Sequence, residues 1–354
     1  MRYDIMLFEA LGEENAHLNE EIEKAKVRGT IPADLQYYVG TETLQEYLLA
    51  NPDTALPHIL STKTHSILPE EWLHTGKKKC VISRSAGYDH FEHLSQIANI
   101  TSLREYCVNA VAETAVKLMF CTCGNLNQYT QNMTNFERNN CISFKELSNL
   151  KVAVFGVGKI GKRIHDMVKG LGMDVRAVDL RADELSKLYN NEVRFVSKEE
   201  ATDSDVIICA MNYTRDPASR YYNKAYFTEE YLRSFPKGCV FVNVTRGEIA
   251  PEAALWKLFS EGHLFGIGVD TFYGEAELTK VLRGQKNIES ENEDAAIKMI
   301  DAALVRTANI YVQPHQGFNS DVAALCKATE TVKHLEDYFA RGCTDFASQL
   351  PYYL

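Results

Sequence analysis

Short runs of apolar, β-branched or aromatic residues recur along the chain, separated by longer stretches whose apolar residues fall at helical spacing. That alternation predicts parallel sheets covered by helices, an α/β fold. In the first third the strand candidates are Tyr3–Phe8, Leu35–Val39, His58–Thr62, Cys80–Ser83 and Ile100–Leu103, enough for one small unit. A second series comprises Lys151–Phe155, Asp174–Val178, Val193–Val196, Asp205–Met211, Cys239–Val244, Phe265–Val269 and Ile310–Gln313, and suits a larger, doubly wound sheet. Between the two series, the stretch NAVAETAVKLMFCTCGNLNQYTQNM from Asn109 keeps helical spacing for long enough to leave one domain and cap the next. The first boundary is expected inside it. At 354 residues the chain exceeds what one core usually supports, so two domains with a cleft between them are expected.

Composition changes this picture little: 45% apolar and 24% charged residues describe a folded globular protein. The net charge of −10 disfavours binding to a phosphate backbone, which needs clustered Lys and Arg, so nucleic acid is a poor partner. An anionic substrate would need a local positive group. The nine cysteines, Cys80, Cys107, Cys121, Cys123, Cys141, Cys209, Cys239, Cys326 and Cys343, lack C-x-x-C spacing and read as reduced, mostly buried thiols, with no metal site implied. Cys121 and Cys123, two apart on a helix, point to different faces. Met1–Leu7 carries Asp4 and reads as the opening of a strand, not as a signal peptide, and no run is long enough to span a membrane. A cytoplasmic location is therefore expected.

The segment KVAVFGVGKIGKRIHDMV carries G-x-G-x-x-G at Gly156, Gly158 and Gly161, after a β run and at the opening of a helix that includes Lys159 and Ile160. Gly156 permits a tight turn, Gly158 lets backbone amides approach a pyrophosphate, and Gly161 allows close helix–strand contact, while the helix N-terminus supplies partial positive charge. Asp179, eighteen positions beyond Gly161 at the end of the next strand, would accept hydrogen bonds from ribose hydroxyls and repel a 2′-phosphate, which favours NAD. Arg181 leaves NADP open, because a nearby arginine could take that phosphate.

Three further segments, VNVTRGE, GVDTFYGEAE and VQPHQGFNS, each follow a strand and present polar residues at its carboxyl end, where doubly wound sheets bind ligands. With these in view the chain resembles the D-isomer-specific 2-hydroxyacid dehydrogenase family, D-lactate dehydrogenase-like, over most of its length; SRSAGYDH and NAVAE look like two more family blocks. The resemblance implies an NAD-binding Rossmann domain at 112–315 and a smaller flavodoxin-like substrate domain at 1–111 and 316–354, the helical pattern Ser320–Arg341 returning the chain to it. The active site would lie in the cleft. Position by position it implies Arg246 as the group gripping the substrate carboxylate, His315 as general acid and Glu275 as its carboxylate partner. Asp270 would hold the nicotinamide carboxamide, and Asn212 and Thr245 would join the cofactor site. Ala86 and Gly87 would hold the substrate carboxylate through their amides, Tyr106 would touch substrate, and Phe318 could line its pocket. A planar fork suits the first task, and an imidazole, titrating near neutral pH, suits proton transfer in both directions.

The implied activity is reversible reduction of a small 2-oxo acid to the D-2-hydroxy acid with NAD, by a homodimer. Gln316-Gly317 and Met211-Asn212-Tyr213 depart from the pattern of many relatives, which leaves pyruvate, branched and aromatic 2-oxo acids all open. The charged stretch Gly284–Ala296 reads as a surface loop and helix. Two rivals keep the fold: an NAD-sensing corepressor, and a formate- or phosphite-type enzyme, against which Glu275 speaks. Each of these residues alone has an ordinary structural alternative, and His90 with His93 reads as a solvated pair and not as metal ligands.

Overall fold

The computed structural model describes residues 2–140 and 143–352; Cys141, one of the nine cysteines, lies outside them, as do Met1, Ile142, Tyr353 and Leu354. The chain divides into two compact units, one of Met1–Cys107 with Asn319–Leu354, the other of Val108–Phe318. The divisions fall at 107/108 and 318/319 where 111/112 and 315/316 were expected. The first shift has a plain cause: the helix Val108–Cys123 enters the second unit whole, burying Ala112, Ala115, Leu118 and Met119.

The first unit is built on five parallel strands, β1 (Ile5–Leu7), β2 (Tyr37–Val39), β3 (Ile59–Thr62), β4 (Cys80–Ser83) and β5 (Asn99–Ser102), in the order β2-β1-β3-β4-β5. Ile5 lies opposite both Tyr37 and Ile59. Alternate residues serve opposite faces: Ile5, Leu7, Ile59 and Ile82 pack with Leu18, Ile22, Val332 and Leu335, whereas Met6, Phe8, Leu60 and Val81 pack with Leu44, Trp72 and Phe91. Burial on both faces is why these strands read as unbroken apolar runs. The helix Glu13–Arg28 begins with two acids, ends with Lys26 and Arg28, and stops at Gly29, whose φ of 71° only glycine adopts cheaply. Against it lies the helix Ala323–Ala340, which the chain reaches after leaving the second unit.

The second unit holds six parallel strands, β6 (Lys151–Phe155), β7 (Asp174–Val178), β8 (Val206–Cys209), β9 (Cys239–Asn243), β10 (Leu264–Val269) and β11 (Ile310–Val312), in the order β11-β10-β9-β8-β6-β7. Because β7 and β8 flank β6 on opposite sides, the chain reverses direction across the sheet at β6, and all carboxyl ends lie along one edge. The expected strand Val193–Val196 is not one. It makes a single bridge, Ala177 to Phe195, because Asn190 and Asn191 turn through positive φ just before it and Ser197 starts a 3₁₀ turn just after. Nor is the stretch after Asn109 one continuous helix: Asn125, at φ 45°, separates Val108–Cys123 from Leu126–Asn132.

The charged stretch from Gly284 is a loop in which Lys286 bridges Glu277, Glu289 and Glu293, followed by the helix Glu291–Leu304, opened by a Ser290–Glu293 capping box. That helix does join the core, through Ala295, Ala296 and Met299. Among the described cysteines, Cys80, Cys107, Cys123, Cys209 and Cys239 are buried, Cys121 and Cys326 half-buried and Cys343 exposed, and none forms a disulfide. No described helix is long and apolar enough to cross a membrane, and no described group of three or more His, Cys, Asp or Glu could hold a metal ion.

Candidate active site

The glycine loop joins β6 to the helix Lys159–Gly170. Gly156 sits at φ 82°, and a Cβ there would stand 2.6 Å from the Met211 Cα; one on Gly161 would stand 1.9 Å from the Gly156 carbonyl oxygen. Both must be glycine for β6, β8 and the helix to close this tightly. A Cβ on Gly158, by contrast, would meet open space. The bond from Lys162 N to the Gly158 oxygen, at 2.8 Å, closes the first helical turn, so the amides of Lys159, Ile160 and Gly161 precede the helical ladder, at the end that favours an anion. This cradle fits a dinucleotide pyrophosphate.

Asp179 follows β7 and accepts from Val157 N at 2.8 Å and Arg181 N at 2.9 Å, which ties it to the glycine loop. A carboxylate has lone pairs left for ribose hydroxyls. Arg181 faces Asp179 at 4.0 Å and Glu184 at 3.4 Å. With two carboxylates beside it, a 2′-phosphate would have to displace its present partners.

Arg246, three residues past β9, directs Nη1 to the Thr245 oxygen at 3.0 Å and stands 3.4 Å from His315 Nε2. His315, three residues past β11, places Nδ1 2.8 Å from Glu275 Oε2. Its backbone has φ 55°, unusual for a residue with a Cβ. Glu275 opens the helix Glu275–Leu282 and also accepts from Phe272 N at 3.2 Å. Burial works against its ionisation, but the bond and charge of His315, the Phe272 amide and the Arg246 charge outweigh it, and its pKa lies below the usual carboxylate value. Arginine, imidazole and carboxylate thus form one continuous array at the ends of three adjacent strands.

Two supports of the array are added by the structure: Asn243, which the sequence reading did not name, and Asp270, which it named only for the cofactor. Asn243, buried at the end of β9, accepts from Thr245 N and Oγ1 and donates to the Arg246 oxygen at 2.9 Å, fixing the turn that carries the arginine. Asp270, also buried, accepts from Gln316 N and Gly317 N, both at 2.9 Å, while its own oxygen takes His315 N at 2.7 Å. A Cβ on Gly317 would stand 2.6 Å from Asp270 Oδ2, which explains the glycine beside that histidine. Burial pushes the Asp270 pKa up despite these amides. Nothing in either local sequence shows that these side chains anchor the backbone of their own or a neighbouring loop.

Asn212, exposed after β8, receives Asn223 Nδ2 on its carbonyl at 2.8 Å. Thr245 shares its hydroxyl with Asn243 and stands 3.4 Å from Cys209 Sγ. Phe318, the last residue of the second unit, is half-buried. Ala86, Gly87 and Tyr106 belong to the first unit. Ala86 and Gly87 lie half-buried in the loop after β4; Tyr106 follows β5, donates its amide to Glu330 at 2.8 Å, and has the Lys327 ammonium 4.8 Å from its ring centroid. His90 places Nε2 3.3 Å from Ser83 Oγ.

A doubly wound sheet with a glycine cradle and an acid after its second strand is the architecture of a dinucleotide-binding domain, here with the polar array at the same edge. Residues 116–317 match the family model described as D-isomer specific 2-hydroxyacid dehydrogenase, NAD binding domain, and the chain belongs to that family. It is similar to a D-lactate dehydrogenase of Streptococcus pyogenes serotype M1, 26% identical over 63% of this chain and 64% of the relative, so the match spans a little under two thirds of that protein. It is also similar to an erythronate-4-phosphate dehydrogenase of Bacteroides thetaiotaomicron, 25% identical over 74% and 70% of the two chains. A solved D-lactate dehydrogenase from Aquifex aeolicus, complexed with NAD and lactic acid, superposes with a TM-score of 0.74 over 96% of each chain at 22% identity, a likeness of fold.

Proposed function

We propose that the chain reversibly reduces a small 2-oxo acid to the D-2-hydroxy acid, in the manner of a D-lactate dehydrogenase. The observation carrying this reading is the convergence of Arg246 Nη1 and His315 Nε2, 3.4 Å apart, with His315 Nδ1 held by Glu275. Bound NAD supplies the hydride acceptor or donor. The protein's own groups do the rest. Two donors this close together can both serve one carbonyl oxygen as it gains negative charge. Arg246 offers further N–H groups to the neighbouring carboxylate, a planar fork meeting a planar anion. His315 Nε2 delivers its proton to the substrate oxygen in reduction and takes it back in oxidation. Glu275 fixes the proton on Nδ1, so that Nε2 is the nitrogen that cycles.

Asp270 and Gly317 hold the His315 backbone so that the imidazole need not be ordered at the moment of reaction. In the same reading the Gly158–Gly161 amides hold the pyrophosphate and Asp179 the ribose, with Lys159, Ile160, Asn212, Thr245 and Asp270 completing the cofactor site. By the family resemblance Ala86, Gly87 and Tyr106 are assigned to the substrate. The test is NADH oxidation against 2-oxo acids graded from glyoxylate to phenylpyruvate, repeated with NADPH. Turnover with NADH that peaks at one side-chain size supports the reading. NADH binding without turnover of any of them overturns it.

A further inference from the structure

Behind Glu275 lies a turn whose three successive amides each point at a different glutamate. Phe272 N donates to Glu275 at 3.2 Å, Tyr273 N to Glu252 Oε1 at 2.9 Å, and Gly274 N to Glu248 Oε1 at 3.4 Å. Glu252 opens the helix Glu252–Ser260 and is only 2% exposed; its second oxygen is buried with no hydrogen-bond partner. The turn is also pressed from the arginine side. A Cβ on Gly247, next to Arg246, would stand 2.0 Å from both the Phe272 carbonyl carbon and Tyr273 N. Backbone lies against backbone there, and the two segments carrying Arg246 and Glu275 share one wall.

We propose that Glu252 is a positioning residue for the reaction: with Glu248 it braces the Phe272–Gly274 turn, and so sets where Glu275 meets the His315 imidazole. This rests on the dehydrogenase reading above. The geometry requires such a brace. Gly274, at φ 60°, lies between the turn and the helix that Glu275 opens, and a glycine there is a hinge unless its neighbours are tied. Glu275 makes two bonds of its own, one to the turn and one to the imidazole, so any slack in the turn is passed straight to His315. A burial this complete is a poor place for a carboxyl group unless its acceptor is used, and Tyr273 N is the backbone amide of the turn that uses it. The burial also keeps Glu252 protonated, its pKa raised to about 8 by desolvation first and by Glu248 and Glu275 after it. A neutral brace can therefore stand behind Glu275 without adding a charge that would compete for the imidazole.

The experiment compares wild type with Glu252→Ala, Glu252→Leu and Glu252→Gln in two readouts. The first is steady-state NADH oxidation with the most active 2-oxo acid. The second is the ¹⁵N and ¹H signals of the His315 ring, assigned with His315→Gln. Glu252→Ala should lower kcat at least tenfold while KM for the 2-oxo acid and the NADH dissociation constant stay within about twofold, and it should shift the His315 Nδ1 signal. Glu252→Leu, which fills the volume without an acceptor, should do the same and replaces alanine if that variant does not fold. Glu252→Gln keeps an oxygen for Tyr273 N and should stay within threefold of wild type with the ring signals unmoved. Wild-type kcat in the alanine or leucine variant, ring signals that do not move there, or a glutamine variant as impaired as the alanine one would overturn the proposal. Should wild type turn over no 2-oxo acid, the dehydrogenase reading fails alone, and the ring signals still decide the positioning one.

Discussion

Replacing Glu252 by glutamine should stabilise the second unit, and increasingly so as pH rises. An ordinary glutamate in the unfolded chain ionises near 4.5, whereas burial raises Glu252 to about 8 in the folded protein. Between those two values the native state binds one more proton than the unfolded state, so stability falls as pH rises through that window and is flat outside it. The stabilising side is the acid side, since the folded pKa is raised. Integrating between the two pKa values gives a loss of about 1 kcal/mol at pH 5 and about 4 kcal/mol at pH 8. Glutamine has no proton to lose. It keeps the acceptor for Tyr273 N and puts an amide where the unpartnered second oxygen stands, so it resembles the protonated acid sterically.

The assay is urea unfolding of both proteins at pH 5, 6, 7 and 8. The chain has two tryptophans; Trp256 lies in the Glu252–Ser260 helix and Trp72 in the first unit, so emission in a Trp72→Phe background reports the second unit alone. Separate readout is needed because two units can unfold at different urea concentrations. Other titrating groups cancel in the difference between the two proteins. The advantage of the glutamine variant should grow by about 3 kcal/mol from pH 5 to pH 8. Parallel stability curves for the two proteins across that range would refute the buried, neutral state of Glu252.

His315→Ala should lower the rate of 2-oxo acid reduction by roughly 10² to 10⁴ while NADH affinity, read by fluorescence titration, hardly changes, because a general acid is needed only in the transition state. Arg246→Lys should raise KM and lower kcat together, costing about 2 kcal/mol of transition-state binding and so roughly thirtyfold in kcat/KM, since a point charge cannot fork across a carboxylate and a carbonyl; wild-type kinetics would remove that role. Gly161→Ala places a methyl 1.9 Å from the Gly156 oxygen, so the loop must open and NADH should bind at least about tenfold more weakly. Equal affinity by calorimetry would mean the cradle is not the pyrophosphate site.

Most of the sheets could be read from the sequence because burial on both faces writes a strand as an apolar run. Cys80–Ser83, Lys151–Phe155 and Asp174–Val178 are strands with the expected bounds. Val193–Val196 has the same local pattern and fails, since pairing depends on the asparagine turn before it and the Ser197 turn after it, not on its own residues. Topology made the three polar segments after strands legible, since a parallel sheet delivers the residues after its strands to one edge; Arg246, Glu275 and His315 were picked from those segments by the family resemblance. What supports the array was not legible. Glu252 at a helix start looks like an exposed N-terminal acid, and nothing beside Asp270 marks it as an anchor of the His315 loop. Only tertiary packing shows that one is 2% exposed and that both oxygens of the other are given to the His315 loop.

The four acids around this edge also answer a difficulty set by composition, since a chain of net charge −10 repels the anion it is proposed to bind. Glu275 remains a carboxylate, its pKa held down by His315. Set against Arg246 and an imidazole of charge zero or one, it leaves the array neutral or singly positive. Glu252 is kept out of that sum by burial, and Asp270 spends both oxygens on backbone amides behind the imidazole. Glu248, half-buried, is turned to the Gly274 amide. Glu275, the carboxylate of the array, is already shared with the imidazole. Arg246 thus stands as a local positive group, at the strand ends of the second unit, inside an acidic protein.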